Sequence, residues 1–263
     1  MSFSLKVITL SLLLSSCQLY KPLNRMTNEG IYPSKNLKIK YHLEWQSNFY
    51  NKRIVNFKKK PIGFKKIVFL GNSITQGAKS WNKRFGLNNL VNRGISGDNT
   101  EGVLSRLNEI HFYEPTGVFL LIGINDIFNS DSTNWDDITP QYVSNNIIKI
   151  AKQIHNNSEY ANIYIQTILP VDLIKYKETY EIAPVHNIDL NEKIREVNSI
   201  LIKRAPLIQN VKIIDLYTLF LDERGLLNPN LSSDGIHLNN LGYDRWVKIL
   251  EPYVKDLNSL LNN

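Results

Sequence analysis

An α/β fold is predicted for this chain, a parallel sheet of five strands covered by helices on both faces. Three observations predict it. From Ile67 onward, short apolar runs alternate with segments of helical periodicity, the pattern of strands joined by crossover helices. The first run, Ile67–Leu70, is four consecutive apolar residues ended by Gly71-Asn72, as a short buried strand would be. The residue types that carry chemistry fall just after those runs, at the carboxyl edge where open parallel sheets bind ligands.

Taken in order, Met1 to Ser16 has Lys6 followed by the apolar run Val7 to Leu14 and then Leu14-Ser15-Ser16-Cys17. That run is too short to span a bilayer and has the layout of a secretory signal. Small residues directly before a cysteine resemble a bacterial lipoprotein signal, in which Cys17 would be lipidated and become the new N-terminus. A plain signal peptide beside an incidental cysteine is the alternative. The expectation is an exported lipoprotein anchored to a membrane, periplasmic or at the cell surface. Cys17 is the only cysteine, so a domain that follows it has neither disulfides nor cysteine catalysis available. Residues 17–36, with Pro22, Gly30 and Pro33, are expected to form a tether, and 37–263 a single domain.

With 43% hydrophobic residues the chain has enough apolar side chains for one large core. Its net charge of +7 invites a nucleic-acid partner. The lysines are scattered, however, apart from Lys58-Lys59-Lys60 and Lys65-Lys66, and no basic stripe alternates with aromatics. No nucleic-acid partner is expected.

Tyr41 to Lys59 carries Leu43, Trp45, Phe49, Tyr50, Ile54 and Phe57 at roughly helical spacing and reads as a packed helix. Strands are expected at Ile67–Leu70, Leu90–Asn92, Val118–Ile122, Ile163–Thr167 and Val211–Ile214. Helices are expected at Thr100–Glu109, Gln141–His155, Leu190–Arg204 and Leu241–Leu261.

Four places after strands hold candidate chemistry. The first strand ends in Gly71-Asn72-Ser73, and a serine between a strand and a helix can present its oxygen beside free backbone N–H groups, or serve only as a helix cap. The second ends in Gly94-Ile95-Ser96-Gly97-Asp98-Asn99-Thr100, where glycines let a backbone N–H turn toward a ligand. The third ends in Gly123-Ile124-Asn125-Asp126, which offers an amide on a tight turn. Near the C-terminus, Asp234-Gly235-Ile236-His237 spaces a carboxylate so that it can reach Nδ1 of the imidazole and leave Nε2 free. A metal site is the other use of such a pair. His42, His111, His155 and His186 form no ligand-spaced cluster with it, so neither a metal nor a cofactor is expected.

Together and in this order the blocks resemble the SGNH hydrolase superfamily, the GDSL-type esterases, over about Ile67 to Trp246. Ser73, Gly97, Asn125 and His237 match the four residues that name it. The resemblance implies a three-layer, flavodoxin-like α/β/α fold with Ser73 as nucleophile, His237 as base and Asp234 orienting the base. It further implies an oxyanion site built from the N–H groups of Ser73 and Gly97 and the side chain of Asn125. The first block departs from the usual Gly-Asp-Ser in having Asn72, which leaves the triad intact and puts the local hydrogen bonds in question.

The chemistry is consistent on its own terms. A serine hydroxyl needs an adjacent base, the imidazole needs a fixed tautomer, and the acyl oxygen needs prearranged donors. Thr75 stands where the Gly-x-Ser-x-Gly elbow of α/β-hydrolases requires glycine, which counts against that fold. The blocks look most like the branch containing platelet-activating-factor acetylhydrolase-like enzymes and carbohydrate O-acetylesterases, including those acting on sialic acid. The expected substrate is a small acylated molecule, an acetylated carbohydrate. Trp81, Asp98 and Trp135 are the candidate substrate contacts, with Phe128 and Tyr176 as further aromatics near the strand ends. A lysophospholipase or arylesterase, or a surface lipoprotein that keeps the fold without catalysis, are the alternatives.

Overall fold

A computed structural model describes residues 30–35, 37–133, 135–181 and 190–262. The residues of the expected signal, including Cys17, lie outside the described residues. In chain order the elements are α1 (Glu44–Lys59), β1 (Ile67–Gly71), α2 (Ser73–Gly77), α3 (Trp81–Phe85), β2 (Leu90–Gly94), α4 (Thr100–Leu104), α5 (Asn108–Tyr113), β3 (Gly117–Leu121), α6 (Ile124–Thr133), α7 (Pro140–Asn157), β4 (Asn162–Gln166), α8 (Leu173–Tyr180), α9 (Leu190–Arg204), β5 (Val211–Ile214), α10 (Leu216–Phe220) and α11 (Asn240–Asn262).

The five strands form one sheet in the order β2-β1-β3-β4-β5, every pair parallel. This is the flavodoxin-like order, with its switch point between β1 and β3. All residues of β1 and β3 are buried, as expected for central strands covered on both faces. On one face Phe69, Phe119 and Tyr164 stack side by side across β1, β3 and β4, with ring centroids 4.9 and 4.6 Å apart. Helices α3 and α11 cover that face, and Leu257 fills the space left by Gly117. Helices α7 and α9 pair with each other over the opposite face.

Trp81 belongs to this core and not to a substrate site. It is 1% exposed, stacks on Phe69 at 4.0 Å and meets Trp246 edge-on at 5.0 Å, so the expectation of a substrate contact there is corrected. The loop position suggested by the sequence is in fact a one-turn helix capped by Ser80, which turns the indole inward.

Three other differences concern residues 30–35, the helix after β2 and the start of helix α1. Residues 30–35, expected to be tether, include Ile31, which is buried, and Tyr32, whose hydroxyl donates to Glu109 Oε1 at 2.9 Å. Glu109 also accepts from Arg93 and from the N–H of Ile62, so a buried ion pair ties the start of the chain to β2 and α5. The helix expected over Thr100–Glu109 is broken after Leu104. The break lets Arg106 turn inward, where its guanidinium donates to the carbonyls of Arg93 and Gly71 and to Asp98.

Helix α1 itself begins at Glu44 rather than Tyr41, which has φ 61 and closes a turn. Its buried side is Gln46, Tyr50, Ile54 and Phe57, and the last three pack with Ile39 and Ile95 as a second, smaller core. Residues 37–59 thus form an arm laid against the loop that follows β2.

Candidate active site

Ser73 heads α2 immediately after β1, so its N–H has no acceptor within the helix. Asn72 supplies the cap: its Oδ1 accepts from Ile74 N at 3.0 Å. Its Nδ2 is buried with no hydrogen-bond partner among the described residues, so Asn performs the capping half of its role and leaves its donor idle. Close approach of β1, β2 and α2 requires glycine at 71 and 94, since a methyl group at Gly94 would lie 2.2 Å from Gln76 N.

The imidazole comes from the turn between Leu231 and α11. His237 Nε2 lies 3.0 Å from Ser73 Oγ, and His237 Nδ1 lies 2.7 Å from Asp234 Oδ2. With Nδ1–H donating to the carboxylate, Nε2 is the acceptor for the serine hydroxyl. Gly235 makes the turn possible: its φ is +88, and a side chain there would strike the carbonyl of Asp172 at 2.1 Å. Asp234 Oδ1 accepts from the N–H groups of Ile236 and His237 at 3.0 and 2.7 Å. Burial pushes the Asp234 carboxyl up, but the hydrogen bonds from the His237 ring and backbone outweigh it. The group is held well below the ordinary carboxylate range.

A fourth partner of Asp234 was invisible in the sequence. Tyr180, on α8, donates its hydroxyl to Asp234 Oδ2 at 2.8 Å, and this bond, followed by burial, pushes the phenol up to about 12. Tyr176 packs against Tyr180 and against Phe128, so these two sequence candidates sit on the carboxylate side of the site. The i, i+4 pair Tyr176 and Tyr180 is readable as one face of a helix, but nothing in the sequence aims it at Asp234.

The residues expected to donate to an oxyanion come from the next two loops. Gly97 has φ +79, and Asn125 Nδ2 donates to the carbonyl of Asp98 at 2.7 Å, which fixes the amide and joins the ends of β2 and β3. Asp98, expected to touch substrate, is corrected: its side chain is fully buried. Its Oδ2 accepts from Arg106 Nη2 and Nε at 2.9 and 3.1 Å, and its Oδ1 lies 3.4 Å from His42 Nε2. Asp98 therefore braces the loop instead of lining a pocket. Trp135 packs on Tyr41, 5.2 Å between ring centroids, and so belongs to the edge of the arm.

Beside Ser73 lies a small apolar pocket between the ends of β3 and β4. Ile74, Ile124, Ile168, Leu169, Val171 and Ile236 line it, with ≈ 10 Å³ of free space for the centre of a water-sized group. Among the described residues no group of His, Cys, Asp or Glu could hold a metal ion.

The model of the GDSL-like Lipase/Acylhydrolase family matches residues 69–245, a span that contains the serine, both donor loops and the Asp–His turn. The chain belongs to that family. Human platelet-activating factor acetylhydrolase IB subunit alpha1 is 27% identical over 202 residues, covering 74% of this chain and 74% of that protein. The structure of a Streptococcus pneumonia protein named for platelet activating factor is 27% identical, with a TM-score of 0.65 over 79% of this chain and 92% of that one. An acetyl-xylooligosaccharide esterase from Geobacillus Stearmophilus shares the fold at 17% identity, with a TM-score of 0.52 over 74% of this chain and 95% of that one. As a family member the chain is an ester hydrolase with the three-layer α/β architecture of these neighbours.

Proposed function

We propose that this acylhydrolase is a serine esterase that removes acetyl groups from carbohydrate esters through Ser73, His237 and Asp234. The hydrogen-bonded chain from Ser73 Oγ through His237 to Asp234, with links of 3.0 and 2.7 Å, is the observation that carries the reading. As Ser73 Oγ attacks the acyl carbon, its proton passes to His237 Nε2. Asp234 stays ionised and stabilises the imidazolium. The carbonyl oxygen becomes an oxyanion facing Ser73 N, Gly97 N and Asn125 Nδ2. His237 then returns the proton to the departing alcohol oxygen, which leaves an acetyl-serine. Water, deprotonated by His237, attacks that ester in the second half and releases acetate.

The acetyl preference rests on the likeness of the sequence blocks to enzymes that remove short acyl groups. The carbohydrate half rests on the likeness of the sequence blocks to O-acetylesterases. Acetate release from acetylated sugars by the wild type and its loss in Ser73→Ala, with the melting curve unchanged, are the expected results. Ser73→Ala protein that keeps most of the activity would remove the serine mechanism. Faster cleavage of octanoyl than of acetyl p-nitrophenyl esters would remove the acetyl preference.

A further inference from the structure

The arm of residues 37–59 precedes residue 69, where the family match begins, yet it packs against the loop that carries Gly97. It is tied to the loop after β2 and to helices α4 and α6. Asn99 Nδ2 donates to the carbonyl of Lys40 at 3.0 Å, and Tyr50 OH donates to the carbonyl of Gly102 at 3.1 Å. Gln46 Oε1 accepts from Leu43 N at 2.7 Å and from Asn129 Nδ2 at 3.2 Å. These bonds fix the first turn of α1 against the loop that contains Gly97.

Trp45 sits in that first turn and is not one of the anchors. A methyl group built on Gly97 would lie 2.6 Å from Trp45 Cη2 and 2.8 Å from Cζ3, so the outer edge of the indole rests on the Gly97 Cα. The rest of the ring is uncovered: Trp45 is 55% exposed, whereas its neighbour Gln46 is 1% exposed. An indole left in water costs burial free energy that a core position would have recovered. Here it stands beside the residue whose N–H faces the acyl oxygen.

We infer that Trp45 is the platform for the alcohol half of the ester, with the apolar face of a sugar ring laid against the exposed indole. A flat, half-exposed ring with one N–H donor suits a pyranose, which presents C–H groups on its faces and hydroxyls at its rim. The arm thereby sets which acetyl esters are taken, while the family domain performs the chemistry. This rests on the esterase reading above and adds the residue that selects the alcohol.

The test compares wild type, Trp45→Ala and Trp45→Phe on two substrates, a mono-acetylated methyl glycoside and ethyl acetate, both followed by acetate release. Trp45→Ala should lose roughly tenfold in kcat/KM on the glycoside, mainly through KM, and change less than about twofold on ethyl acetate. Trp45→Phe should recover part of the loss. A binding readout free of turnover comes from the Ser73→Ala protein, whose tryptophan fluorescence should change on adding the acetyl glycoside and should not when Trp45→Ala is added. Equal losses on both substrates would mean that Trp45 only props Gly97, and the platform would be rejected. So would an unchanged KM for the glycoside. If the wild type cleaves ethyl acetate but not the glycoside, the platform and the carbohydrate half of the proposed function fail, and the serine-esterase half stands. If it cleaves neither, both fall.

Discussion

Asn125→Ala separates catalytic from structural work at one side chain. Asn125 Nδ2 carries two hydrogens: one is given to the carbonyl of Asp98 at 2.7 Å, and in the proposed mechanism the other is given to the acyl oxygen. Removing one of three oxyanion donors costs about 3 kcal/mol in the transition state, which is about a hundredfold in rate at ~1.4 kcal/mol per decade. Removing the bond to Asp98 costs about 1 kcal/mol of stability. Stopped-flow or steady-state hydrolysis of p-nitrophenyl acetate, with a thermal melt of the same sample, reads both numbers. The rate loss should lie in kcat, because the donor acts on charge that appears only during reaction. Asn125→Asp should be worse than alanine, since a carboxylate there cannot donate and would face the Asp98 carbonyl. A loss confined to KM, or a kcat within threefold of wild type, would refute the placing of Asn125 at the oxyanion.

Tyr180→Phe removes one of four hydrogen bonds to Asp234 and should lower kcat several-fold while leaving KM unchanged, which a kcat-against-KM split on p-nitrophenyl acetate would show. Burial raises the Asp126 carboxyl to about 7, even though Thr100 N and Oγ1 donate to it. A folded-state pKa above the unfolded one means that stability is fully present below about 4 and lost as pH rises to about 7. Asp126→Asn should therefore flatten the decline of Tm across that window, and an unchanged slope would show that Asp126 does not titrate there. A chain beginning at Lys38 lacks buried Ile31 and the Tyr32 bond to Glu109, and should melt about 6–10 °C below one beginning at Gly30. Equal melting points would show that residues 30–35 contribute nothing. We propose that Cys17 carries a lipid anchor, in which case Cys17→Ala should move the protein from the membrane to the soluble fraction. Retention in the membrane after a high-salt wash would reject a lipid anchor.

What was legible in the sequence follows from what local pattern can encode. The central strands β1 and β3 are apolar and buried throughout, so they announce themselves as runs, and the ends of all five strands were read to within two residues. Ser73, Asn125, Asp234 and His237 were legible because their positions relative to strand ends and turns are local facts. Partners supplied from far along the chain were not. Asp98 looks like a free carboxylate until Arg106 and His42 are seen to enclose it, and the broken helix at 105–107 exists to let Arg106 do so. Helical spacing placed Trp45 with the buried face of α1. The true buried face is led by Gln46, whose amide is satisfied by Leu43 and Asn129, so polarity misled the reading at both residues.

The second core has an energetic consequence. Ile39, Tyr50, Ile54 and Phe57 close on Ile95, a residue of the very loop that carries Gly97, and this cluster is separate from the core under the sheet. A small core opens at a lower free energy than a large one, so the arm is a unit that can come undone while the sheet remains folded. Warming would then inactivate the protein before it melts. The amides of α1 would exchange with solvent on the same temperature curve as the loss of turnover, with those of β1 and β3 still protected.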